Sequence, residues 1–134
     1  MFPLNTKILV VDDIESLREL LKAYLDRLGY TNIQEAEDGK LALEMLWAAH
    51  LAAKPFELVI SDWNMPNLNG LELLEAIRQK EHWKTLPFLF LTTESEKDKV
   101  LSAAQRGASN YIVKPIDEPL LKEKLQKIWD RLKK

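Results

Sequence analysis

Short apolar runs alternate with amphipathic stretches along the whole chain, and the period of the apolar positions changes with them. Residues 7–12 contain Ile8-Leu9-Val10-Val11, a continuous apolar run of the kind found in a strand buried on both faces. From 14 to 28 the apolar residues Leu17, Leu20, Leu21, Tyr24, Leu25 and Leu28 fall at helical spacing, and Gly29 stops the helix. Residues 32–36 predict a short, more polar strand. Asp38-Gly39 is a turn, followed by a helix over 40–53 with Leu43, Leu46 and Trp47 on one side, and Pro55 ends that segment. A third strand is predicted over 57–61, then a helix over 71–80 with Leu73, Leu74 and Ile77 inward. Residues 87–92 form a fourth strand, whose proline sits at the start, where a missing N–H is tolerated. A helix over 95–106 closes at Gly107, a fifth strand covers 110–113, and the last helix runs over 117–132 with Pro119 in its first turn.

Strands and helices alternating at this spacing imply right-handed crossovers and a parallel sheet covered on both faces. The fold class is α/β: a doubly wound, five-stranded parallel sheet in the order 2-1-3-4-5, the flavodoxin-like (βα)5 arrangement. In such a sheet a site forms at the C-terminal ends of strands 1 and 3, where the direction of winding reverses.

Bulk properties narrow the class without changing this picture. A chain of 134 residues reads as a single domain over 1–134 with one good core. A charged fraction of 30% beside 46% hydrophobic residues reads as globular rather than disordered. A net charge of −2 gives no reason to expect nucleic-acid or bilayer binding. No cysteine is present, which rules out a disulfide framework or a cysteine-based zinc site. The apolar runs are far too short to span a membrane, and residues 1–7 lack the apolar core of a signal peptide, so a cytoplasmic location is the default.

The chemistry gathers at the predicted strand tips. Strand 1 ends in Asp12-Asp13, strand 3 in Asp62, strand 4 in Thr92-Thr93 and strand 5 in Lys114-Pro115. Parallel strands point these tips the same way, so three carboxylates, a hydroxyl and an ammonium meet in one shallow pocket. Crowded carboxylates need a counter-charge to stay ionised. Hard oxygen ligands with room for water suit Mg²⁺. Thr92 can donate to a phosphoryl oxygen and Lys114 can place a positive charge beside it. A carboxylate nucleophile, a divalent ion and a Lys/Thr clamp form an apparatus for taking a phosphoryl group onto an aspartate as a mixed anhydride. Taken singly, each piece has a bland explanation: Asp12-Asp13 as the cap of the next helix, Asp62 as a turn residue, Thr92 as a cap, Lys114 as a solvated charge. Their joint placement at four strand ends is what singles them out.

These residues carry a family resemblance. Val10-Val11-Asp12-Asp13, Asp62 with Met65-Pro66 and Gly70, Thr92, and Lys114-Pro115 stand in the order of a response-regulator receiver domain, over nearly the full chain. The stretches 61–66, 69–74 and 107–115 are similar to the chemotaxis type in particular. The resemblance implies that Asp62 accepts phosphate from the phosphohistidine of a chemotaxis-type sensor kinase. It implies Mg²⁺ held by Asp13, Asp62 and the backbone carbonyl of Asn64, with Asp12 acting largely through a metal-bound water. Thr92 and Lys114 then respond to the phosphoryl group, and Tyr111 is an aromatic switch that rotates inward as Thr92 moves. Lys114-Pro115 would be a cis peptide, and Asn64 and Glu94 would tune self-dephosphorylation. The output surface would be the helix 4–strand 5–helix 5 face, with Val100, Ala103, Ala104, Tyr111, Lys124 and Lys127 as its candidates. A chain of this type is a monomeric phosphoacceptor rather than an enzyme, and it passes the signal to a flagellar motor switch protein.

Three features depart from the chemotaxis type: a longer segment between Gly39 and Asp62, expected to extend helix 2 or its loop over 47–54; Ile116 where an aromatic is usual; and Glu96 where a lysine is usual. The last two fall on or near the output face and keep open a phosphorelay shuttle or other non-motile regulator, whose partner would be a phosphotransfer protein. A flavin-binding flavodoxin would need a Ser/Thr/Gly-rich phosphate loop where Asp12-Asp13 stands. A phosphatase of the haloacid dehalogenase type needs a second acid two residues past its nucleophile, where this chain has Asn64.

Overall fold

The computed structural model describes residues 1–93 and 97–133, with the side chains of residues 97, 99 and 100 outside the description. Glu94, Glu96 and the side chain of Val100 therefore lie outside the described residues.

The five strands are β1 (Ile8–Val11), β2 (Ile33–Ala36), β3 (Leu58–Asp62), β4 (Phe88–Thr92) and β5 (Asn110–Val113). The helices are α1 (Glu15–Arg27), α2 (Gly39–Leu51), α3 (Gly70–Arg78), α4 (Lys97–Gln105) and α5 (Glu118–Leu132). All strand pairs are parallel and the order is β2-β1-β3-β4-β5, as the alternation implies. Among the described residues no helix is long and apolar enough to cross a membrane.

Period-two side-chain alternation sorts the sheet into two cores. Leu9, Val11, Val59, Phe88 and Phe90 face α2, α3 and α4, meeting Leu46, Leu73, Leu74, Ile77 and Ala103. Ile8, Val10, Ile60, Leu89, Leu91 and Ile112 face α1 and α5, meeting Leu21, Leu25, Leu121, Leu125 and Ile128. The central strands β1, β3 and β4 are buried at every position, which is why they read as unbroken apolar runs. The edge strand β2 alternates and is the polar one. Gly29 and Gly107 end α1 and α4 at positive φ (101° and 99°), the left-handed turn that glycine adopts without strain.

Four local readings change. Leu20 lies outside the α1 core stripe, 43% exposed. Trp47 does not join Leu46 inward: it is 44% exposed and packs instead on His50, His82 and Trp83. Helix α2 stops at Leu51, two residues short of expectation, because Ala53 takes a positive φ of 60°. The predicted helix over 71–80 ends at Arg78, and a single 3₁₀ turn, Glu81–Trp83, leads into β4. Arg78 fastens this turn: its guanidinium donates to the carbonyls of Trp83, Leu86 and Gly107 at 2.7–3.1 Å. The N-terminus is also tied down. Phe2 is buried against Trp129 of α5, with ring centroids 5.2 Å apart, and its carbonyl accepts from the Tyr30 hydroxyl at 2.8 Å.

Candidate functional site

Strand register sets the site. Val11 pairs with Ser61, so Asp12, one residue past the end of β1, comes beside Asp62, the last residue of β3. Thr92 pairs with Val113, so Lys114 projects just past Thr92, and the Lys114 N–H donates to the Thr92 carbonyl at 2.7 Å. The sheet thereby delivers all five predicted side chains to one edge.

One carboxylate oxygen from each of Asp12, Asp13 and Asp62 lies within 4.8 Å of the others. Asp12 and Asp62 are buried and Asp13 is exposed, so the cluster opens to solvent on one side. Lys114 Nζ sits 2.8 Å from Asp62 Oδ1. Asp12 Oδ1 accepts from the Ile14 N–H at 2.9 Å, ahead of α1. The N-cap position of α1 belongs to Ile14, whose side chain has nothing to cap with, so a capping role does not account for the aspartate pair. Arg18 donates to the Asp12 carbonyl (2.7 Å) and to Glu35 on β2 (2.7 Å), which fixes the backbone behind the cluster. Glu35 also takes Lys22, and these two cations hold its carboxyl below the usual range.

Burial pushes the Asp12 carboxyl up from 3.8 to about 6. The negative charge of Asp62 adds to the push, while the Ile14 N–H and Lys114 oppose it. A folded pKa above the ordinary one means that the stability this group contributes is present below 3.8 and is lost as pH rises through about 6. At pH 7.5 the metal-free chain therefore carries a strained carboxylate. We expect Asp12→Asn to raise stability by about 2 kcal/mol at pH 7.5 and by almost nothing near pH 4. Urea unfolding of both chains at the two pH values measures the difference; equal midpoints at pH 7.5 contradict it. This crowding is an electrostatic environment that a hard divalent cation relieves, and three carboxylate oxygens with open access fit one.

Thr92 is buried at 1% exposure, with Oγ1 at 3.5 Å from the Thr93 carbonyl, the outer limit of a hydrogen bond. Asn64 is exposed on the β3–α3 loop. The Lys114-Pro115 bond is cis. Tyr111 is 40% exposed, and Lys124 Nζ lies over its ring, 5.2 Å from the centroid. Beside Tyr111 is a cavity of about 190 Å³ lined by Trp63, Phe90, Ala103, Ala104 and Ala108. Ala104 is exposed, and Lys127 is exposed and paired with Glu123 at 3.1 Å. Ala103 corrects the expected surface: it is 3% exposed, because its face of α4 packs down on the sheet beside Phe90. A second cleft, of about 380 Å³, runs from Asp12 and Lys114 between α1 and Ile116, lined by Leu17, Leu20, Tyr24 and Pro115.

Sequence reasoning missed the groups that hold the β3–α3 loop. Gly70 N–H donates to the Trp63 carbonyl at 2.8 Å, and Asn67 reaches Asp38 at the start of α2. Asp38-Gly39 carried a signal, as a turn before a helix, but nothing local linked it to residues nearly thirty positions on.

The model of the response regulator receiver domain matches residues 8–126. The chain is 46% identical over 128 residues to the chemotaxis protein CheY-3 of Vibrio cholerae, spanning 96% of this chain and 95% of that one. It is 44% identical over 126 residues to the chemotaxis protein CheY of Pseudomonas aeruginosa, spanning 94% and 98%. It superposes on the chemotaxis response regulator CheY4 of Vibrio cholerae with a TM-score of 0.79 at 35% identity, covering 92% of this chain and 98% of that structure. A match over this much of the chain, by sequence and by structure, shows that the protein belongs to the response regulator receiver domain family.

Proposed function

We propose that the chain is a chemotaxis-type response regulator that accepts a phosphoryl group from a sensor histidine kinase onto Asp62 and signals through its α4–β5–α5 face. The observation that carries this reading is the Lys114–Asp62 contact of 2.8 Å inside the ring of Asp12, Asp13 and Asp62. An aspartate is thereby held with a cation on one side and two further acids on the other.

A carboxylate oxygen of Asp62 attacks the phosphorus of the donor. The donor's P–N bond breaks as the P–O bond forms, and the imidazole leaves with its electron pair and takes up a proton. Lys114 then moves its charge from the carboxylate to the new phosphoryl oxygens, and the Thr92 hydroxyl donates to one of them. Asp12, Asp13, Asp62 and the Asn64 carbonyl would hold Mg²⁺, which when bound neutralises charge on the transferring group. Asn64 and Glu94 set the rate of the later hydrolysis. On this reading the chain is no enzyme but a phosphoacceptor that assists its own phosphorylation and dephosphorylation, a monomer in the cytoplasm with no nucleic-acid or membrane partner.

The switch follows from the packing around Tyr111. Phosphorylation adds charge and acceptor oxygens at one point and draws Thr92 toward it. The cavity beside Tyr111 gives the ring a place to turn into, leaving the Lys124 contact. Two packings of one ring, biased by a charge at Asp62, make a two-state element. The face it alters carries Ala104, Tyr111, Lys124 and Lys127, and its partner on the chemotaxis reading is a flagellar motor switch protein.

Ile116 favours a second reading, a phosphorelay shuttle. It lines the apolar cleft beside the acceptor, where the chemotaxis type carries an aromatic. Capture experiments with and without beryllofluoride, a mimic of the phosphoryl group, separate the two. Retention of a flagellar switch peptide only with the mimic supports the motor partner; retention of a histidine phosphotransfer domain supports the relay.

A further inference from the structure

The loop from Asp62 to Gly70 is held at both ends, by different elements. At the near end the Gly70 N–H donates to the Trp63 carbonyl at 2.8 Å. At the far end the loop is fastened to the start of α2. Gly39 N–H donates to the Leu68 carbonyl at 3.1 Å, and Asn67 Nδ2 donates to Asp38 Oδ2 at 2.7 Å. The two backbones come so close that a Cβ on Gly39 would lie 2.4 Å from the Leu68 carbonyl oxygen. Asn67 sits in the left-handed region at φ 66°, a conformation that asparagine tolerates better than most residues. Asp38 is 7% exposed, and its other oxygen caps α2 through the Leu41 N–H at 2.8 Å. That N–H and the Asn67 amide hold its carboxyl below the usual range, so the acceptor in this contact is a charged one.

We propose that Asp38 and Asn67 are a positioning pair: their hydrogen bond presets the Asp62–Gly70 loop, and with it the Asn64 carbonyl, for the divalent ion. This rests on the metal-dependent reading above. Asn64, Met65 and Pro66 lie between two anchored points, the Trp63 carbonyl and the Asn67 side chain. A short segment fixed at both ends has lost most of its backbone freedom on folding, so little remains to be lost when an ion engages its carbonyl. Groups that orient ligands without touching the ion commonly change metal affinity by about 10- to 100-fold. Asp38 stands outside the carboxylate cluster of Asp12, Asp13 and Asp62, so its effect is through the loop and not through ligation. Helix capping alone would explain the Leu41 contact. It does not explain why the second oxygen is given to a residue of the acceptor loop.

Mg²⁺ binding to the full chain, measured by calorimetry at pH 7.5, tests the pair. Asn67→Gly keeps the left-handed backbone and the α2 cap but removes the amide; we expect affinity about tenfold weaker. The swapped pair Asp38→Asn with Asn67→Asp keeps an acceptor for Leu41 and reverses the direction of the second hydrogen bond; we expect affinity restored to within about twofold of wild type. Amide exchange at Gly39 in the metal-free chains gives an independent readout, faster in Asn67→Gly and protected again in the swapped pair. An Asn67→Gly chain that binds Mg²⁺ as tightly as wild type overturns the proposal, as does a folded swapped pair no better than Asn67→Gly. Failure of the wild-type chain itself to bind Mg²⁺ overturns the metal-dependent reading and this inference with it.

Discussion

We expect an Asp62→Asn chain to take up no phosphoryl group from acetyl phosphate and Mg²⁺, and the wild-type chain to take up one per molecule, labile to hydroxylamine as an acyl phosphate is. The substitution is nearly isosteric, so the buried site keeps its shape, but an amide oxygen is no nucleophile and cannot form the mixed anhydride. Lys114 loses its charge partner at 2.8 Å and is left only 23% exposed, so some destabilisation accompanies the change. A circular dichroism spectrum and a Tm for the variant therefore belong beside the mass measurement. The comparison is discriminating because two other carboxylates share the cluster. Asp12 is strained and Asp13 is exposed, but neither carries the ammonium of Lys114. If Asp62→Asn is phosphorylated at the same stoichiometry, the acceptor is one of them and the assignment to Asp62 fails.

We expect Gly70→Ala to lower stability by about 3 kcal/mol, a fall in Tm of about 10 °C. A Cβ at this position would lie 2.3 Å from the Asp62 carbonyl oxygen and 2.8 Å from Cε1 of Phe90. Neither obstacle is the free end of a flexible side chain. One is backbone at the tip of β3; the other is a ring at 1% exposure, packed on Trp63 with centroids 4.8 Å apart. Relief requires α3 to move away from β3, which breaks the Gly70–Trp63 hydrogen bond, or requires the Asp62 peptide to rotate, which displaces the acceptor. The same substitution should thus slow phosphoryl uptake even where the chain remains folded. Thermal unfolding followed by circular dichroism reads the first effect; a Tm unchanged within a degree would show that the loop has slack its close contacts do not indicate.

Much of the fold was legible because the central strands are buried on both faces and the helices on one. Those two burial states write different periods into a sequence, continuous for β1, β3 and β4 and helical for α1, α3 and α5. The site was legible for a related reason. Parallel strands carry whatever follows their last apolar residue to a common edge, so Asp12, Asp13, Asp62, Thr92 and Lys114 could be placed together from order alone. Helix ends and surface positions were less so. Leu20 and Trp47 each sit near the border of an apolar stripe, where a rotation of a few tens of degrees about the helix axis decides between core and solvent. Sequence spacing does not set that rotation; the packing of α1 and α2 on the sheet does.

What the residue order determined by itself is therefore the layered α/β sheet and the roll of groups at its C-terminal edge, because burial period and strand polarity are local properties. Only the tertiary structure decided which polar groups brace that edge. Arg18 on the Asp12 carbonyl and Asn67 on Asp38, the latter twenty-nine residues apart, are pairings of ordinary-looking polar residues. Their partners are a backbone carbonyl and a helix cap, which carry no signature in sequence and become partners only once the chain has folded.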